Sequence, residues 1–235
     1  MDIVYNCRPG RQNEELRYSI RSVVANMPHD NLWVVGGKPD WYKGNYIFAP
    51  SDPSRVRLKF DREKIGLQTI AEAEEISDDF ILMNDDFFVM NKIDNFVDWN
   101  GGSLSQKLEL YKQLAPRGIY TNCLGLTYDG LLRMGFENPL DFEMHVPIKM
   151  NKEKLNESLK HSTSLWRSVY GNMFIEQSEK HDDVKVYKGS TLQKRSYDYT
   201  KNASCYISTM DASFETVKTD MLDSMFIEPS LYESP

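Results

Sequence analysis

The chain has 235 residues, of which 40% are hydrophobic and 27% are charged, and its formal net charge is −7. This composition is typical of a globular protein with a sizeable core, and the negative charge argues against a non-specific nucleic-acid binder, which usually presents a basic face. No apolar run approaches the ~20 residues that cross a bilayer, and the N-terminus lacks the basic-then-apolar pattern of a signal peptide. We therefore expect a cytoplasmic protein. The three cysteines form no CxxC pair, so neither a disulfide framework nor a zinc knuckle is favoured.

The first half of the chain alternates short apolar runs with amphipathic segments. The apolar runs predict strands at Asp2–Tyr5, Asn31–Val35, Tyr46–Ala49 and Phe80–Met83. Apolar residues spaced three and four apart predict helices at Asn13–Ala25, with Asn13 as the N-cap, and at Asp61–Ser77. Strands and helices that alternate in this way predict an α/β fold with a mostly parallel sheet flanked by helices.

The second half is less regular. Its patterns predict a helix that is opened by Gly101-Gly102-Ser103 and ends at Leu114, further helices at Tyr128–Met134, Asn151–Leu159, Ser164–Phe174 and Ser213–Phe226, and strands at Gly118–Asn122, Val184–Tyr187 and Ser204–Ser208. No internal repeat, low-complexity segment or long linker divides the chain. A single domain over residues 1–235 is the simplest interpretation.

Three polar side chains, Asn84, Asp85 and Asp86, separate the apolar run Phe80–Met83 from the apolar run Phe87–Met90. Open α/β sheets place their ligands at the carboxyl ends of strands, which is where these side chains fall. Hard carboxylate oxygens there suit Mg²⁺ or Mn²⁺ bridging to phosphate. The alternative interpretation is a surface turn, since Asn-Asp-Asp is also favourable turn chemistry.

The loop Asn6–Gln12 lies between the first predicted strand and the first predicted helix. Free backbone N–H groups and the helix dipole make such a loop a natural anion site, and Arg8 and Arg11 are placed to clamp a diphosphate. Ordinary solvated arginines are the alternative. Arg17, at the edge of the helix's apolar face, either reaches towards Asp85 or a ligand or pairs with surface carboxylates.

Three further residues are candidates for the site. His145 lies in a Pro-flanked loop near Asp141 and Glu143, and its charge changes near neutral pH, which suits a general base or a phosphate-binding group; a structural histidine is the alternative. Arg167 is bracketed by aromatic residues, where a partly buried guanidinium needs an anionic partner. Asp211 follows a predicted strand and precedes the last helix, so it is a second carboxylate at a strand's carboxyl end.

Several blocks of this sequence occur in an order that suggests a relationship. The first block is NEELRYSIRSV from Asn13 to Val23, followed by ILMNDDFFV around Asp85, by HVP from His145, and by Arg167 with YGN. These blocks resemble, in order, those of the Stealth family, which includes bacterial capsular-polysaccharide sugar-phosphate transferases and the catalytic part of the lysosomal-enzyme N-acetylglucosamine-1-phosphotransferase. The sequence departs from that family after Tyr5, where a Trp-Val-Asp-Gly turn is replaced by NCRPG.

The segments MFIEPSLYE and YISTMDASFE also look like small phage-encoded glycosyltransferases. Together, the resemblances imply a GT-A-like fold and a nucleotide-diphospho-sugar donor, a UDP-sugar above all. They imply that Asp85 and Asp86 bind Mn²⁺ or Mg²⁺ and that Asn6, Arg8, Arg11, Arg17 and Asn84 bind the donor. Residues 1–100 would form the nucleotide- and metal-binding half and residues 101–235 the acceptor-side half.

Glycosyl transfer is the first of two reactions that stay open. The acceptor hydroxyl would attack the anomeric carbon, while the metal and cations such as Arg8 stabilise the departing diphosphate. His145 or Asp211 would take the acceptor proton. The short chain and the phage-like segments favour this reaction.

Sugar-1-phosphate transfer is the second reaction, and the Stealth blocks favour it. The acceptor would attack the β-phosphorus, with Arg17, His145 and Arg167 around the phosphoryl oxygens and Asp85 or Asp86 as base. A binding module without turnover is a third hypothesis. The acceptor is open among a polysaccharide, a modified DNA base, a protein and a small metabolite.

Overall fold

A mostly parallel sheet lies at the centre of the protein in a computed structural model that describes residues 1–50, 59–161, 165–190 and 192–234. Within these residues, its five strands are β1 (Asp2–Cys7), β2 (Leu32–Gly36), β3 (Asn45–Ile47), β4 (Asp79–Met83) and β7 (Ile148–Asn151). The order is β3-β2-β1-β4-β7; the first four strands run parallel, and β7 pairs antiparallel with β4. The predicted α/β fold with a mostly parallel sheet is confirmed.

Helices cover both faces of this sheet. They are α1 (Glu14–Asn26), α2 (Lys59–Glu72), α5 (Lys152–His161) and α6 (Trp166–Phe174). On one face, Leu16 of α1 packs in one buried cluster with Ile3 and Tyr5 of β1. On the other face, Leu67 of α2 packs with Val4 of β1, because successive strand residues point to opposite sides. Each fully buried aliphatic side chain of this kind contributes roughly 1.5–3 kcal/mol.

A smaller sheet follows β4 in the chain. Its strands are β5 (Phe87–Val89), β9 (Lys185–Val186) and β10 (Tyr206–Thr209), in the order β5-β10-β9. The central strand β10 pairs antiparallel with β5 and parallel with β9. A separate parallel pair consists of β6 (Trp99–Asn100) and β8 (Glu179–Lys180). The strands predicted at Val184–Tyr187 and Ser204–Ser208 thus exist with shifted ends.

The remaining helices pack beside the sheets. They are α3 (Leu104–Leu114), α4 (Ile119–Arg133), α7 (Asp211–Val217), a π-helical segment (Lys218–Leu222), α8 (Asp223–Met225) and a 3₁₀ turn (Gln193–Arg195). Leu104 of α3 and Leu124 of α4 share one buried cluster, while Phe214 of α7 stacks on Phe88 of β5. No helix in the described part of the chain is long and apolar enough to cross a membrane.

The strand predicted at Gly118–Asn122 is wrong, because this segment begins helix α4. Gly118 is the N-cap, and the helix runs on through the separately predicted Tyr128–Met134 segment to Arg133. The β-favouring residues Ile-Tyr-Thr suggested a strand, but burial at Leu124, Thr127 and Leu131 follows the spacing of a helix. Tertiary packing on α3 therefore decides the conformation.

Helix boundaries differ elsewhere as well. The last helix begins at Asp211 rather than at Ser213 and contains the π-helical segment. The second helix ends at Glu72, five residues before the predicted Ser77. Ser164, the predicted start of α6, lies outside the described residues. Such end effects are common because terminal turns compete with loop structure.

Candidate functional site

A cleft of about 550 Å³ opens at the carboxyl ends of β1 and β4. We call it the carboxylate cleft, and its lining includes Asn6, Arg8, Glu15, Asn84, Asp85, Asp86, Lys185 and Asp211. Six of these residues are sequence candidates, drawn from three distant parts of the chain. The fold therefore brings together the first loop, the Asn-Asp-Asp segment and the start of α7.

The Asn84-Asp85-Asp86 segment is both a turn and a lining of the cleft. Phe87 N–H donates a hydrogen bond to the Asn84 carbonyl at 3.3 Å, which closes the turn between β4 and β5. The carboxylates nevertheless point inward, since the side chains of Asp85 and Asp86 are 13% and 19% exposed. The turn interpretation and the site interpretation thus describe the same geometry.

Asp85 is held by the start of α1. Asn13 Nδ2 donates to its Oδ2 at 2.9 Å, and Arg8 Nε lies 3.3 Å from the same oxygen. Asn13 also caps the helix as predicted, accepting from Leu16 N–H at 3.1 Å, with a left-handed backbone at φ 38°. Burial, followed by the charge of Asp86, raises the pKa of Asp85.

Asp86 is paired with Lys185, a residue that sequence reasoning missed. Lys185 Nζ on β9 forms an ion pair with Asp86 Oδ2, and Ser208 Oγ on β10 lies 3.4 Å from that oxygen. Lys185 is also largely buried. The available signal was a lysine between two valines in a predicted strand, a position that calls for an anionic partner.

Glu15 is the second residue that sequence reasoning missed. It is buried at the first turn of α1, where Oε2 accepts from Arg8 Nη2 at 2.8 Å and Oε1 accepts from Thr209 Oγ1 at 3.2 Å. Burial raises the pKa of Glu15 to about 7, and the nearby Asp86 and Asp85 add to this effect. Its place in the matched NEELRYSIRSV block was the signal.

Arg8 joins the carboxylates on the α1 side of the cleft. Besides Glu15 and Asp85, its guanidinium reaches Asp211 at 3.0 Å. These three anionic neighbours, outweighing partial burial, raise the pKa of Arg8. Asp211 is the first residue of α7 and its side chain is 78% exposed, so it stands at the open side of the cleft.

A neighbouring apolar cleft of about 510 Å³ lies at the ends of β1, β2 and β3. We call it the apolar cleft; Asn6, Arg11, Gly37, Tyr46, Phe48 and Gly66 are among the residues that line it. Gly36 ends β2 at φ +104°, and a Cβ there would lie 2.5 Å from the Cys7 carbonyl oxygen. Glycine therefore permits the close approach that sets the loop carrying Arg8. Asn6 and Cys7 line both clefts.

Arg17 lies outside the lining of these clefts. It pairs with Glu14 at 3.1 Å and Glu233 at 3.5 Å, and its guanidinium lies 4.8 Å from the Trp41 ring centroid. At ~100° per helical residue, Arg17 points ~200° away from Glu15. Of the two sequence expectations for Arg17, these contacts agree with pairing to carboxylates.

Arg167 is buried in the protein. Its Nε donates to the Phe142 carbonyl at 3.2 Å and its Nη2 donates to the Val146 carbonyl. Burial lowers the pKa of Arg167. The negative charge of Glu143 has the largest opposing effect. These contacts tie α6 to the loop before β7, and a catalytic role for Arg167 stays a prediction.

His145 lies beside the smaller sheet with a fixed orientation. Its Nδ1 is 2.8 Å from Asp183 Oδ2, and its ring meets the Phe87 ring edge-on at 6.4 Å. Burial acts to raise the pKa of Asp183, but pairing with His145 outweighs it and the pKa is lowered. A carboxylate at Nδ1 fixes one side of the imidazole and leaves Nε2 for other contacts. His145 is thus held by Asp183 rather than by Asp141 or Glu143.

The comparison with solved structures addresses the fold. The chain is similar to the galactosyltransferase LgtC in complex with donor and acceptor sugar analogues, with a TM-score of 0.50 and 13% identity over 98% of each chain. The protein has a GT-A fold. At this identity the likeness concerns the fold alone. The sequence matches no protein-family profile and no curated protein, so the Stealth and phage resemblances stay predictions.

Two other solved structures are more distant from this GT-A chain. An active-site mutant of LgtC has a TM-score of 0.44 and 15% identity, over 87% of this chain and 79% of that one. The glycosyltransferase GlyE of Streptococcus pneumoniae TIGR4 has a TM-score of 0.38 and 10% identity, over 77% of this chain and 45% of that one.

The carboxylate oxygens in the carboxylate cleft of this GT-A protein suit a divalent cation whose coordination a substrate would complete. Among residues 1–50, 59–161, 165–190 and 192–234, no group of three His, Cys, Asp or Glu side chains is arranged to hold a metal ion. Mg²⁺, however, is usually bound by one or two carboxylates plus phosphate oxygens and waters. The lining carries five acidic and three basic side chains, an excess of negative charge that would repel a diphosphate. Asp85 and Asp86 therefore supply the two carboxylates that such a cation would need.

Proposed function

We propose that the protein is a glycosyltransferase that moves a sugar from a nucleotide-diphospho-sugar to a hydroxyl acceptor. The observation that carries this proposal is the adjacency of the apolar cleft and the carboxylate cleft, which share Asn6, Cys7 and Arg62. An apolar site for a base beside a charged site for a diphosphate matches the two ends of such a donor. The GT-A fold supports the same assignment.

The nucleoside end of the donor lies in the apolar cleft. Phe48 is 68% exposed there and Tyr46 is half-buried, so both offer aromatic surface for a nucleobase. The diphosphate lies in the carboxylate cleft, within reach of Arg8 and Lys185. Arg11, which lines the apolar cleft at its exposed rim, contributes a further positive charge.

Mn²⁺ or Mg²⁺ completes this site under the proposal. Asp85 and Asp86 would be its protein ligands, and such a cation would supply charge neutralisation for the leaving diphosphate. Arg8 and Lys185 line the same cleft beside these carboxylates and would face the phosphate oxygens.

The reaction joins the acceptor oxygen to the anomeric carbon. The bond between that carbon and the diphosphate oxygen breaks, and its electron pair leaves on the nucleoside diphosphate. The acceptor proton passes to Asp211, which stands at the open side of the carboxylate cleft. His145, held by Asp183 on the neighbouring side, is the alternative base.

Sugar-1-phosphate transfer receives less support from the geometry. That mechanism gathers Arg17, His145 and Arg167 around one phosphoryl group. Arg17 is paired with Glu233, and Arg167 is held by the backbone carbonyls of the loop before β7. Two of its three cationic groups are therefore committed elsewhere.

The experiment incubates the protein with Mn²⁺ and a panel of nucleotide-sugars, without acceptor, and identifies the released nucleotide by mass spectrometry. Slow release of nucleoside diphosphate and free sugar is the expected result. Nucleoside monophosphate with sugar phosphate would replace the proposal by sugar-1-phosphate transfer. Asp85-dependent donor binding without any product, even with candidate acceptors added, would indicate a binding module.

A further inference from the structure

A cleft of about 620 Å³ lies beside the carboxylate cleft, and its role is not explained by donor binding. We call it the tyrosine cleft; its lining includes Gln106, Tyr111, Asp183, Tyr187, Tyr197 and Asn202. Its volume is within the ~300–1,000 Å³ of small-molecule sites. The helix α3 forms one wall, and the segment that follows β9 forms another.

The chain through β9 connects the two clefts. Lys185 lines the carboxylate cleft, while Asp183 and Tyr187, two residues to either side, line the tyrosine cleft. Alternate residues of an extended chain point to the same side, so both clefts open on one side of β9. At ~3.3 Å per residue, neighbouring members of this series are ~7 Å apart. The two clefts are therefore lined by neighbouring positions of one segment of the chain.

The charges of the tyrosine cleft are balanced. Three basic and four acidic side chains line it. Two of the acids pair with lysines, Asp141 with Lys107 at 2.7 Å and Asp198 with Lys201 at 2.9 Å, and Asp183 lies 2.8 Å from His145 Nδ1. The remaining charged groups of the lining are Asp182, Lys194 and Arg195, so neither sign is in large excess. A polyanion needs an excess of basic groups, and a cation needs unpaired carboxylates. The balance favours an uncharged ligand.

The uncharged part of the lining matches a sugar. Tyr111, Tyr187 and Tyr197 combine aromatic surface with phenol groups, and Gln106 and Asn202 carry amides that both donate and accept hydrogen bonds. Sugar rings present C–H faces and hydroxyl groups that need both kinds of contact. The pair of half-buried Lys107 and buried Asp141 adds fixed polar groups to the lining.

We propose that the tyrosine cleft binds a neutral saccharide and presents one of its hydroxyl groups to the donor; this inference rests on the proposed function. The saccharide oxygen bonds to the anomeric carbon of the donor. The bond from that carbon to the diphosphate oxygen breaks with its electron pair on the diphosphate, and the hydroxyl proton passes to Asp211. The acceptor is then a glycan rather than a modified base within DNA.

Binding of the acceptor is tested without the donor. Saturation-transfer NMR measures contact of the full chain with maltose, with cellobiose, with methyl glycosides of glucose, galactose and N-acetylglucosamine, and with a DNA oligonucleotide as the polyanionic comparison. At least one saccharide is expected to give signal and the oligonucleotide is not. Signal from the oligonucleotide alone would overturn the inference.

A matched pair of tryptophan variants locates the site. Gln106 is exposed and lines the cleft, whereas Gln113 is exposed on the same helix and is outside the lining. Gln106→Trp should fill the cleft and weaken saccharide binding at least tenfold, while Gln113→Trp leaves it unchanged. Gln113→Trp should also keep the wild-type rate of acceptor-free donor hydrolysis. Equal saccharide binding by the two variants would contradict the proposed location.

Donor hydrolysis distinguishes failure of the proposed glycosyltransferase function from failure of the proposed saccharide site. If the wild-type protein hydrolyses a nucleotide-sugar but binds no saccharide of the panel, the inference is overturned and the proposed function stands. If saccharides bind in a Gln106-dependent way and no donor is cleaved even in their presence, the acceptor role falls together with the proposed function. Transfer to the bound saccharide, with a raised acceptor KM in Gln106→Trp, supports both.

Discussion

Arg8 and Lys185 balance the carboxylates of the site. Arg8 contacts Glu15, Asp85 and Asp211, and Lys185 pairs with Asp86. Without these two cations, four acidic side chains would face one another across a partly buried cleft, where like charges repel strongly. The same two cations are the groups that a diphosphate would meet on entering. Arg8 and Lys185 thus neutralise carboxylates in the resting protein and would neutralise phosphates in the donor-bound protein.

Replacing Arg8 should lower kcat/KM for the nucleotide-sugar. Arg8→Gln removes the charge that faces the leaving group, and we expect kcat/KM for the nucleotide-sugar to fall about 10²-fold. Arg17→Gln is the matched control because Arg17 pairs with Glu233 away from the cleft; we expect kcat/KM within about twofold of wild type. Steady-state kinetics measures both variants. A larger loss of kcat/KM in Arg17→Gln than in Arg8→Gln would contradict the placement of the diphosphate.

Glu15 should give the fold a pH-dependent stability. Its pKa is raised by burial from 4.5 to about 7, so the folded protein holds a proton that the unfolded chain has already lost. Unfolding free energy therefore falls as pH rises from about 4.5 to about 7, by an amount on the order of 1–3 kcal/mol.

Glu15→Gln cannot ionise, so its stability relative to wild type should rise over that pH window and then level off. Urea unfolding at pH 4, 5, 6, 7 and 8 measures the difference. A stability difference that does not change with pH would show that Glu15 has an ordinary pKa.

Helix α1 is the element that links the site to the C-terminal segment. Its first turn supplies Asn13 and Glu15 to the carboxylate cleft. Its opposite side carries Arg21, which donates to both oxygens of Glu233 at 2.8 and 2.6 Å. Glu233 also accepts from the backbone N–H of Ser230 at 2.8 Å. The helix therefore holds the end of the chain by the side that does not face the site.

Glu233→Gln should destabilise the protein without changing the cleft. Burial acts to raise the pKa of Glu233, but Arg21 outweighs it, so the pKa is lowered and the carboxylate stabilises the fold. This stability is present above the pKa of the unfolded chain and is lost as pH falls through the lowered folded pKa. Arg21 keeps its hydrogen bonds to the Phe226 and Ile227 carbonyls, so loss of the charged partner should cost about 1–3 kcal/mol at pH 7.

Thermal unfolding measures this effect, with Glu228→Gln as the control, because Glu228 is an exposed glutamate in the same segment. We expect the melting temperature of the control to match that of wild type. An unchanged melting temperature in Glu233→Gln would show that the C-terminal segment is not anchored through α1.

Local patterns predicted most of the central elements. The strands β1, β2 and β4 are continuous apolar runs, which buried parallel strands require, and α1 has both its apolar spacing and its Asn13 cap. The start of α4 was missed because its residues favour strands locally. Packing of α4 on α3 and α6, which local propensity does not report, stabilises that helix.

Part of the site was predictable and part was not. Asp85 and Asp86 are recognisable because carboxylates directly follow a buried strand. The roles of Glu15 and Lys185 depend on contacts with residues 7 to 194 positions away, which no local spacing reveals. Arg17 shows the converse. Its place in the NEELRYSIRSV block predicted a ligand-binding residue, whereas its side chain lies outside the lining of the carboxylate cleft.

Three clefts are connected through the residues that line them. The apolar and carboxylate clefts share lining residues, and Lys185 of the carboxylate cleft lies between Asp183 and Tyr187 of the tyrosine cleft in the chain. The middle cleft draws Asp85 and Asp86 from the first hundred residues and Lys185 and Asp211 from the remainder. Under our proposals, residues 1–100 therefore bind the nucleoside, the diphosphate site requires both halves, and residues 101–235 bind the acceptor.

The nucleoside end of this arrangement is tested at Phe48. Phe48→Ala should raise the Kd of a nucleoside diphosphate about tenfold, since stacking of a base on an aromatic ring is worth ~1–3 kcal/mol. Stability should hardly change because the side chain is 68% exposed. Ile227→Ala removes another exposed apolar side chain, 65% exposed, and is expected to leave the Kd unchanged. Equal Kd values for the two variants would place the base elsewhere.

The most direct test of the central claim is calorimetric titration of a nucleoside diphosphate into the protein, with and without Mn²⁺. We expect binding that strengthens with Mn²⁺ and that Asp85→Asn weakens at least tenfold. Asp79→Asn, the same substitution at the exposed opposite end of β4, should bind as wild type does. A Kd that changes neither with Mn²⁺ nor with Asp85→Asn would contradict the assignment of the carboxylate cleft as the diphosphate site.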